Sequence, residues 1–277
     1  MSYTHFNLTT PTEWVAHVEI NRAGKLNSFH EEMWHELGEI FTKLSHDPNV
    51  RCVIFSGAGD RGFTSGLDVQ AASKGPLMSS EGSDTDPARR ATFLRRHISD
   101  FQACINTLET CEKPVICVLH GIAFGLALDL ASACDIRICT KNVRCAVREV
   151  DIGLAADIGS LTRLPKANLP FSWIKDVCLT AREFGADEAL RVGFVSEVAE
   201  DKNKAMQRAV ELAGTIAGKS PVAVQATKEV LNWSRDHSVQ DGLRYVQVWN
   251  SAMLQAGDVK SALMGGIQKK KPRFEKL

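Results

Sequence analysis

The stretch from Val115 to Cys139 limits the fold more than any other part of the chain. Val115–Leu119 reads as a strand, residues 120–125 as a turn, Leu126–Ala133 as an apolar helix and residues 135–139 as another strand. Strand, helix and strand in so few residues imply parallel pairing with helical crossovers, the mark of an α/β protein. Residues 144–148 add a further strand.

The flanking segments fit this class. Residues 14–20 alternate, with Trp14, Ala16, Val18 and Ile20 on one face, which predicts a strand. The segment NRAGKLNSF breaks that pattern. Ser28 and Glu31 then have capping-box spacing, opening a helix whose apolar positions are Met33, Leu37, Ile40, Phe41 and Leu44. Residues 50–55 form a buried strand, followed by the glycine-rich GAGDRGFTSGLD. Residues 73–90 are polar and rich in turn formers, so a mobile surface segment is expected. Leu94, Ile98, Phe101, Ile105 and Leu108 mark the next helix. From about Asp187 the pattern is nearly all helical apart from 194–198, with amphipathic helices over 202–217, 221–234 and 239–254. No repeat of fixed period is visible. The division expected is a core over 1–200 and a helical region over 201–277.

Composition removes several function classes. Lys plus Arg and Asp plus Glu both number 33, so the net charge is zero, against a nucleic-acid binder held by bulk charge. No apolar run reaches the roughly 18 residues of a membrane helix. Residues 1–12 are polar, and no secretory leader is expected. The 8 cysteines fall mostly inside apolar periodic segments with no C-x-x-C pair, so they read as buried thiols in a reducing compartment. No zinc-binding pattern is present.

Two loops and three acids could carry chemistry. Phe63-Thr64-Ser65-Gly66-Leu67-Asp68 follows a strand, and His120-Gly121-Ile122-Ala123-Phe124-Gly125-Leu126 joins a strand to a helix. Outward N–H groups at two such junctions would make an oxyanion hole if aimed at one point; ordinary turns are the alternative. Asp129 lies in an apolar helix, where an acid is costly unless partnered. Its alternative is a hydrogen bond to the next loop. Glu149 follows a strand, and pairing with Arg148 would explain it without catalysis. Asp157 lies in Gly153-Leu154-Ala155-Ala156-Asp157-Ile158-Gly159, where capping a helix over 158–164 is the alternative. Asp135 and Asp151 read as structural.

Residues from about 13 to 255 resemble the crotonase superfamily, the enoyl-CoA hydratases and isomerases. The resemblance rests on NRAGKLNSF, FTSGLDV, KPVICVLHGIAFGLALDLASACDIRIC and REVDIGLAADIGSLTRLPK. Within the superfamily the chain looks most like the Δ3,5-Δ2,4-dienoyl-CoA isomerase group. Hydratases carry glycine where this chain has Asp157 and glutamate where it has Asp129. SPVAVQATK and SRDHSV also resemble the isomerase group.

The resemblance implies a spiral (ClpP-like) fold of repeated ββα units in two sheets, with a C-terminal helical oligomerisation region. It implies an oxyanion hole from the backbone N–H groups of Leu67 and Leu126, and an acyl-CoA-contacting surface of Ser65, Gly66, Leu67, Asp68, Val69 and Leu126. Glu149 and Asp157 match the two proton-transfer residues and Asp129 a third active-site acid. The reaction implied is a 1,5-proton shift in the β-oxidation of unsaturated acyl chains. Coenzyme A would enter as part of the substrate, with no separate cofactor and no metal. The family's glycine triplet reads Gly125-Leu126-Ala127 here, which keeps the N–H and alters the shape of the acyl pocket. The partners implied are an acyl-CoA and further copies of the chain, as a trimer or a hexamer, with no nucleic acid and no membrane. Lys269, Lys270, Lys271, Arg273 and Lys276 could meet CoA phosphates, with a solvated tail as the alternative. An enoyl-CoA hydratase, a Δ3-Δ2-enoyl-CoA isomerase and a non-catalytic or RNA-binding member are the competing readings. The end Glu275-Lys276-Leu277 differs from the peroxisomal Ser-Lys-Leu address in its first residue. A peroxisome is expected, with the mitochondrion as alternative.

Overall fold

The computed structural model describes residues 3–73 and 86–277. The chain opens with an antiparallel pair, β1 (Phe6–Thr12) and β2 (Val15–Ile20). Then follow α1 (Glu31–His46), β3 (Cys52–Gly57), β4 (Gly62–Thr64), the single turn α2 (Val69–Ala72) and the long α3 (Pro87–Thr110). The centre of the chain holds β5 (Val115–Leu119), β6 (Ile122–Phe124), α4 (Leu126–Ala133), β7 (Ile136–Thr140) and β8 (Arg144–Ala146). After these come α5 (Ser160–Arg163), α6 (Phe171–Thr180), β9 (Phe184–Gly185), α7 (Ala186–Val192) and β10 (Glu197–Ala199). Four helices close the chain: α8 (Lys202–Ala217), α9 (Pro221–Ser234), α10 (Val239–Met253) and α11 (Gly257–Gln268).

The expected spiral is present. A six-stranded sheet runs β1-β2-β3-β5-β7-β10, and a four-stranded sheet runs β4-β6-β8-β9. Consecutive strands are dealt alternately: β3, β5 and β7 go to the large sheet, and β4, β6 and β8 to the small one. Each strand pair is followed by helix. Because the helical insertions differ in length, the repeat leaves no fixed period in the sequence.

The large sheet is covered on both faces, so its parallel strands are apolar throughout. Val53, Phe55, Val115, Cys117 and Leu119 face a core shared with α1, α3 and α4. Cys52, Ile54, Ile116, Val118 and Ile138 face Ala205, Ala209, Ala213 and Ala217 of α8. An alanine every fourth residue gives α8 a flat stripe that lies close to the sheet. The expected division at residue 200 therefore does not coincide with a break in packing, since α8 belongs to the core. All 8 cysteines are free, and only Cys104 is not buried. Burial pushes the Cys52 thiol up to about 12, which leaves it unreactive.

Several local expectations are corrected. Ser28 does not cap α1. The residue before the helix is His30, with no side-chain cap bond. Phe29 is drawn into an extended bridge with Leu67, and the Ser28 hydroxyl instead accepts from Arg22. Residues 120–125 are not simply a turn, because β6 lies within them. The strand expected over 144–148 stops at Ala146, and Glu149–Ile152 forms a 3₁₀ turn. Of the segment expected to be mobile, residues 74–85 lie outside the described residues. From Pro87 onward it is the first turn of α3, capped by Asp86. Strand β1 and helix α6 were not anticipated, while α11 falls in the region expected to be helical without having been delimited there.

Asp135 is structural, as expected. It accepts from the Val115 N–H and forms an ion pair at 2.7 Å with Lys228 of α9, which is 8% exposed. Removing one member of a buried pair leaves the other charge uncompensated. Lys228→Ala is expected to cost about 3 kcal/mol in urea unfolding, and adding Asp135→Asn should recover part of that loss.

Candidate active site

The two loops approach each other because β4 and β6 are neighbours in the small sheet. Gly66 has φ +92° and Gly125 φ +55°, backbone that favours glycine. A Cβ on Gly66 would stand 2.8 Å from the Phe124 carbonyl oxygen and 3.5 Å from the Leu126 nitrogen. Only glycine permits this approach. The Leu126 N–H is the first of α4, where the helix leaves donors unpaired. Among the described residues, no acceptor takes the N–H of Leu67 or of Leu126.

Below these amides lies a cleft of about 460 Å³. Ser65, Gly66, Leu67, Asp68 and Val69 form one wall, and Leu126, Asp129, Glu149 and Asp157 lie on others. Every site residue expected from the sequence therefore borders one cavity. Asp68 has a structural task as well: it caps α2 and meets Arg22 at 2.8 Å. Leu126 is 4% exposed, so its side chain is packed away. A larger cavity of about 600 Å³ lies between α9 and the core. Its acids are neutralised, Glu109 by Arg163 and Arg235, and Asp135 by Lys228.

The three acids differ in their partners. Asp129 is 1% exposed, and its Oδ1 accepts from the Ser160 N–H at 2.6 Å and the Ser160 hydroxyl at 2.7 Å. It thereby caps α5, 31 positions further along the chain, and the hydrogen bond expected to the next loop goes to the first residue of that helix instead. Burial still pushes its carboxyl up to about 6. Glu149 is not paired with Arg148, whose guanidinium goes to Asp151 and Glu183. The Glu149 Oε2 is buried with no hydrogen-bond partner. Burial, with Asp129 and Asp157 nearby, pushes Glu149 up to about 7. Asp157 does not cap a helix, since α5 begins at Ser160 after Gly159. Burial raises its carboxyl too.

This set has the makings of a proton relay. Acids that repel one another in an apolar cleft titrate in steps, and between two steps the set holds a proton to give and a site to receive one. The sequence reading missed the wall opposite. Trp34 and Phe101 stack there at 3.9 Å, and the His97 ring meets Trp34 edge-on at 5.9 Å. Phe101 was visible only as a helix-face residue. Its place in the cleft follows from α1 packing on α3, which no local pattern encodes.

Two groups of three possible metal ligands occur among the described residues, His5–His30–Glu32 and His35–Asp100–Cys104, and neither contains the three acids. His35 turns Nε2 to Asp100 at 3.5 Å and Nδ1 to Cys104 at 3.6 Å. His30 and Glu32 stand on the cleft wall.

Glu149 binds its proton more tightly in the folded chain, at about 7 against an ordinary 4.5. The folded state holds more protons over that interval, so this group's contribution to stability falls as pH rises from about 4.5 to 7. Glu149→Gln is expected to stabilise the fold by on the order of 1–3 kcal/mol at alkaline pH and by little at acid pH, read as the difference between thermal melts.

Residues 11–276 match the family model described as enoyl-CoA hydratase/isomerase. A mouse protein named mitochondrial Δ3,5-Δ2,4-dienoyl-CoA isomerase is 42% identical over 279 residues, covering 100% of this chain and 84% of that one. An Arabidopsis thaliana protein named as the peroxisomal isomerase is 41% identical over 263 residues, covering 95% and 93%. Among solved structures, an enoyl-CoA hydratase from Bacillus anthracis has a TM-score of 0.86 at 24% identity, covering 98% of this chain and 99% of the other. That likeness bears on the fold alone.

Proposed function

The chain belongs to the enoyl-CoA hydratase/isomerase family, and we propose that it converts 3,5-dienoyl-CoA thioesters to their 2,4-dienoyl isomers. Such a step serves the β-oxidation of unsaturated acyl chains. The observation that carries this reading is the pairing of Glu149, whose Oε2 lacks a partner, with Asp157 on the same cleft, while Asp129 is held by Ser160.

The thioester oxygen sits between the N–H groups of Leu67 and Leu126. A Cβ on Gly125 would stand 3.2 Å from Glu149 Oε1, so Glu149 lies beside the start of α4. Glu149 therefore faces C2, next to the carbonyl, and Asp157 serves C6. The Glu149 carboxylate takes a proton from C2. The electron pair spreads over the carbonyl oxygen and the chain to C6, and the fixed amides stabilise the charge on oxygen. Asp157 delivers a proton to C6, leaving double bonds at C2 and C4. One proton leaves and one arrives, so no redox partner is needed. Between the two macroscopic pKa values the pair holds one proton, and the reactive form has it on Asp157. Coenzyme A is the handle by which the acyl chain is held.

A hydratase uses two glutamates around a water. Here one of those positions is Asp129, shorter and already accepting two hydrogen bonds, which argues against water activation.

The same reading extends to assembly and setting. Helices α9–α11 leave Leu231, Leu243, Val248, Leu254, Leu263 and Ile267 more than 60% exposed, which supports a trimer or a pair of trimers built through them. The exposed Lys269, Lys270 and Lys271 fit a solvated tail. Relatives are named mitochondrial in mouse and peroxisomal in Arabidopsis. We place this chain in the peroxisome, with the mitochondrion as the alternative.

Given a 3,5-dienoyl-CoA, the protein is expected to generate the ultraviolet absorbance of a diene conjugated to the thioester. Loss of absorbance from a 2-enoyl-CoA, with the diene inert, would overturn the reading in favour of a hydratase. Asp157→Asn is expected to lower kcat by about 10²–10⁴. Light scattering on an eluting peak should give three or six subunits, and a one-subunit mass would refute the assembly.

A further inference from the structure

We propose that His5, His30 and Glu32 form a zinc site at the rim of the cleft, joining the start of β1 to the start of α1. The proposal goes beyond the isomerase reading and stands apart from it, since it asks only for a divalent metal ion.

The donor atoms already converge. Glu32 Oε2 lies 3.8 Å from His5 Nε2 and 4.0 Å from His30 Nδ1. The three ligand atoms all lie within 4.8 Å of one another. The two imidazoles meet edge-on, their centroids 4.7 Å apart and planes at 88°, so each turns a nitrogen to the same carboxylate oxygen. Ligands bound tetrahedrally to zinc stand about 3.3–3.6 Å from each other. The histidine side chains are 20% and 19% exposed, and that of Glu32 is 83% exposed. The carboxylate is therefore the part free to close the remaining distance.

The backbone fixes both histidines. The His5 N–H donates to Glu36 Oε2 at 2.9 Å, and the His5 carbonyl accepts from the Asn21 N–H at 2.7 Å. His30 immediately precedes α1, and its carbonyl accepts from the Met33 N–H. One residue earlier, Phe29 donates to the Gly66 carbonyl and accepts from the Asp68 N–H. Ligands held this way lose little freedom on binding an ion. No zinc spacing shows in the sequence, because His5 reaches His30 through the pairing of β1 with β2.

The donor set selects the ion. Two imidazoles and one carboxylate are the ligands of three-residue zinc sites, which keep a fourth position for water. Calcium and magnesium take oxygen ligands instead. The nearby cation Arg22 is paired with Asp68 at 2.8 Å, and Glu31 adds an acid on the same wall. In the other candidate group, Asp100 and Cys104 face different ring nitrogens of His35, whereas here two imidazoles share one carboxylate oxygen. The position gives the ion a structural consequence. Phe29 is bridged to Leu67, so an ion on His30 braces the turn that carries the Leu67 amide.

The test is calorimetric titration of the metal-free chain with Zn²⁺, with Co²⁺ as a spectroscopic probe. The wild type is expected to bind Zn²⁺ at this site and to melt at a higher temperature as free Zn²⁺ rises. His5→Gln and His30→Gln are each expected to weaken that binding by at least about tenfold. Glu32→Gln should weaken it too, and this exposed side chain keeps the test readable if a histidine variant fails to fold. His35→Gln should leave the affinity unchanged, and bound Co²⁺ should show no thiolate charge-transfer band. Absence of Zn²⁺ binding to the wild type would overturn the proposal, as would equal affinity in the wild type and the three variants. So would loss of the ion in His35→Gln with a thiolate band in the Co²⁺ form, which would place the metal at Cys104.

Discussion

Two turns touch at Gly66 and Gly125, and the geometry of the site hangs from that contact. A methyl group on Gly66 would meet the Phe124 carbonyl at 2.8 Å, and one on Gly125 would crowd the Glu149 carboxyl at 3.2 Å. With neither present, β4 and β6 bring the Leu67 and Leu126 amides together at the head of the cleft. Backbone donors suit this task because the sheet has already ordered them. They need no side-chain rotamer to be frozen when the substrate's oxygen acquires charge. The departure from a glycine triplet at Leu126 is tolerated for the same reason: the N–H is retained, and the side chain turns into the core.

In the proposed reaction the thioester is held there, and the acids matter through what they lack. Asp129 has its hydrogen bonds made, and it holds α5 in place. Glu149 has an oxygen with none. A buried carboxyl without a partner is costly, and natural folds rarely keep one except where chemistry uses it. The cost appears as a carboxyl that keeps its proton to about 7. The fold sustains this because the large sheet is packed with apolar side chains on both faces.

Much of the plan was legible in the chain, and the misses share a cause. The strand–helix–strand unit at 115–139 was readable because burial on both faces makes its strands continuously apolar. Asp129 and Asp157 were readable because each interrupts an apolar run, and Glu149 because it follows a strand. Strand β1 was not, since FNLTTPT is held by pairing with β2 and exposes six of its seven residues. Ser28 looked like a cap because the spacing to Glu31 was right, yet the bridge from Phe29 to Leu67 took that backbone elsewhere. Asp157 looked like a cap for α5, whose N–H at Ser160 is satisfied by Asp129, 31 positions earlier. In each case a long-range partner outcompeted a local one, which windowed patterns cannot register.

The two sheets thus divide the labour. The large sheet, sandwiched between α8 on one face and α1, α3 and α4 on the other, fixes the frame. The small sheet has strands of two or three residues and would hold little on its own. It survives because every strand in it is continuous with an element of the larger core. What it contributes is direction. The chain leaves β4 into the turn of Leu67, β6 into Leu126 and α4, and β8 into Glu149. Three consecutive turns of the spiral therefore deliver one group each to the same cleft. Asp157 arrives by the loop that follows the third. A spiral of strand pairs repeats its exits on one side of the molecule, so groups far apart in sequence meet without any long crossover being built for them.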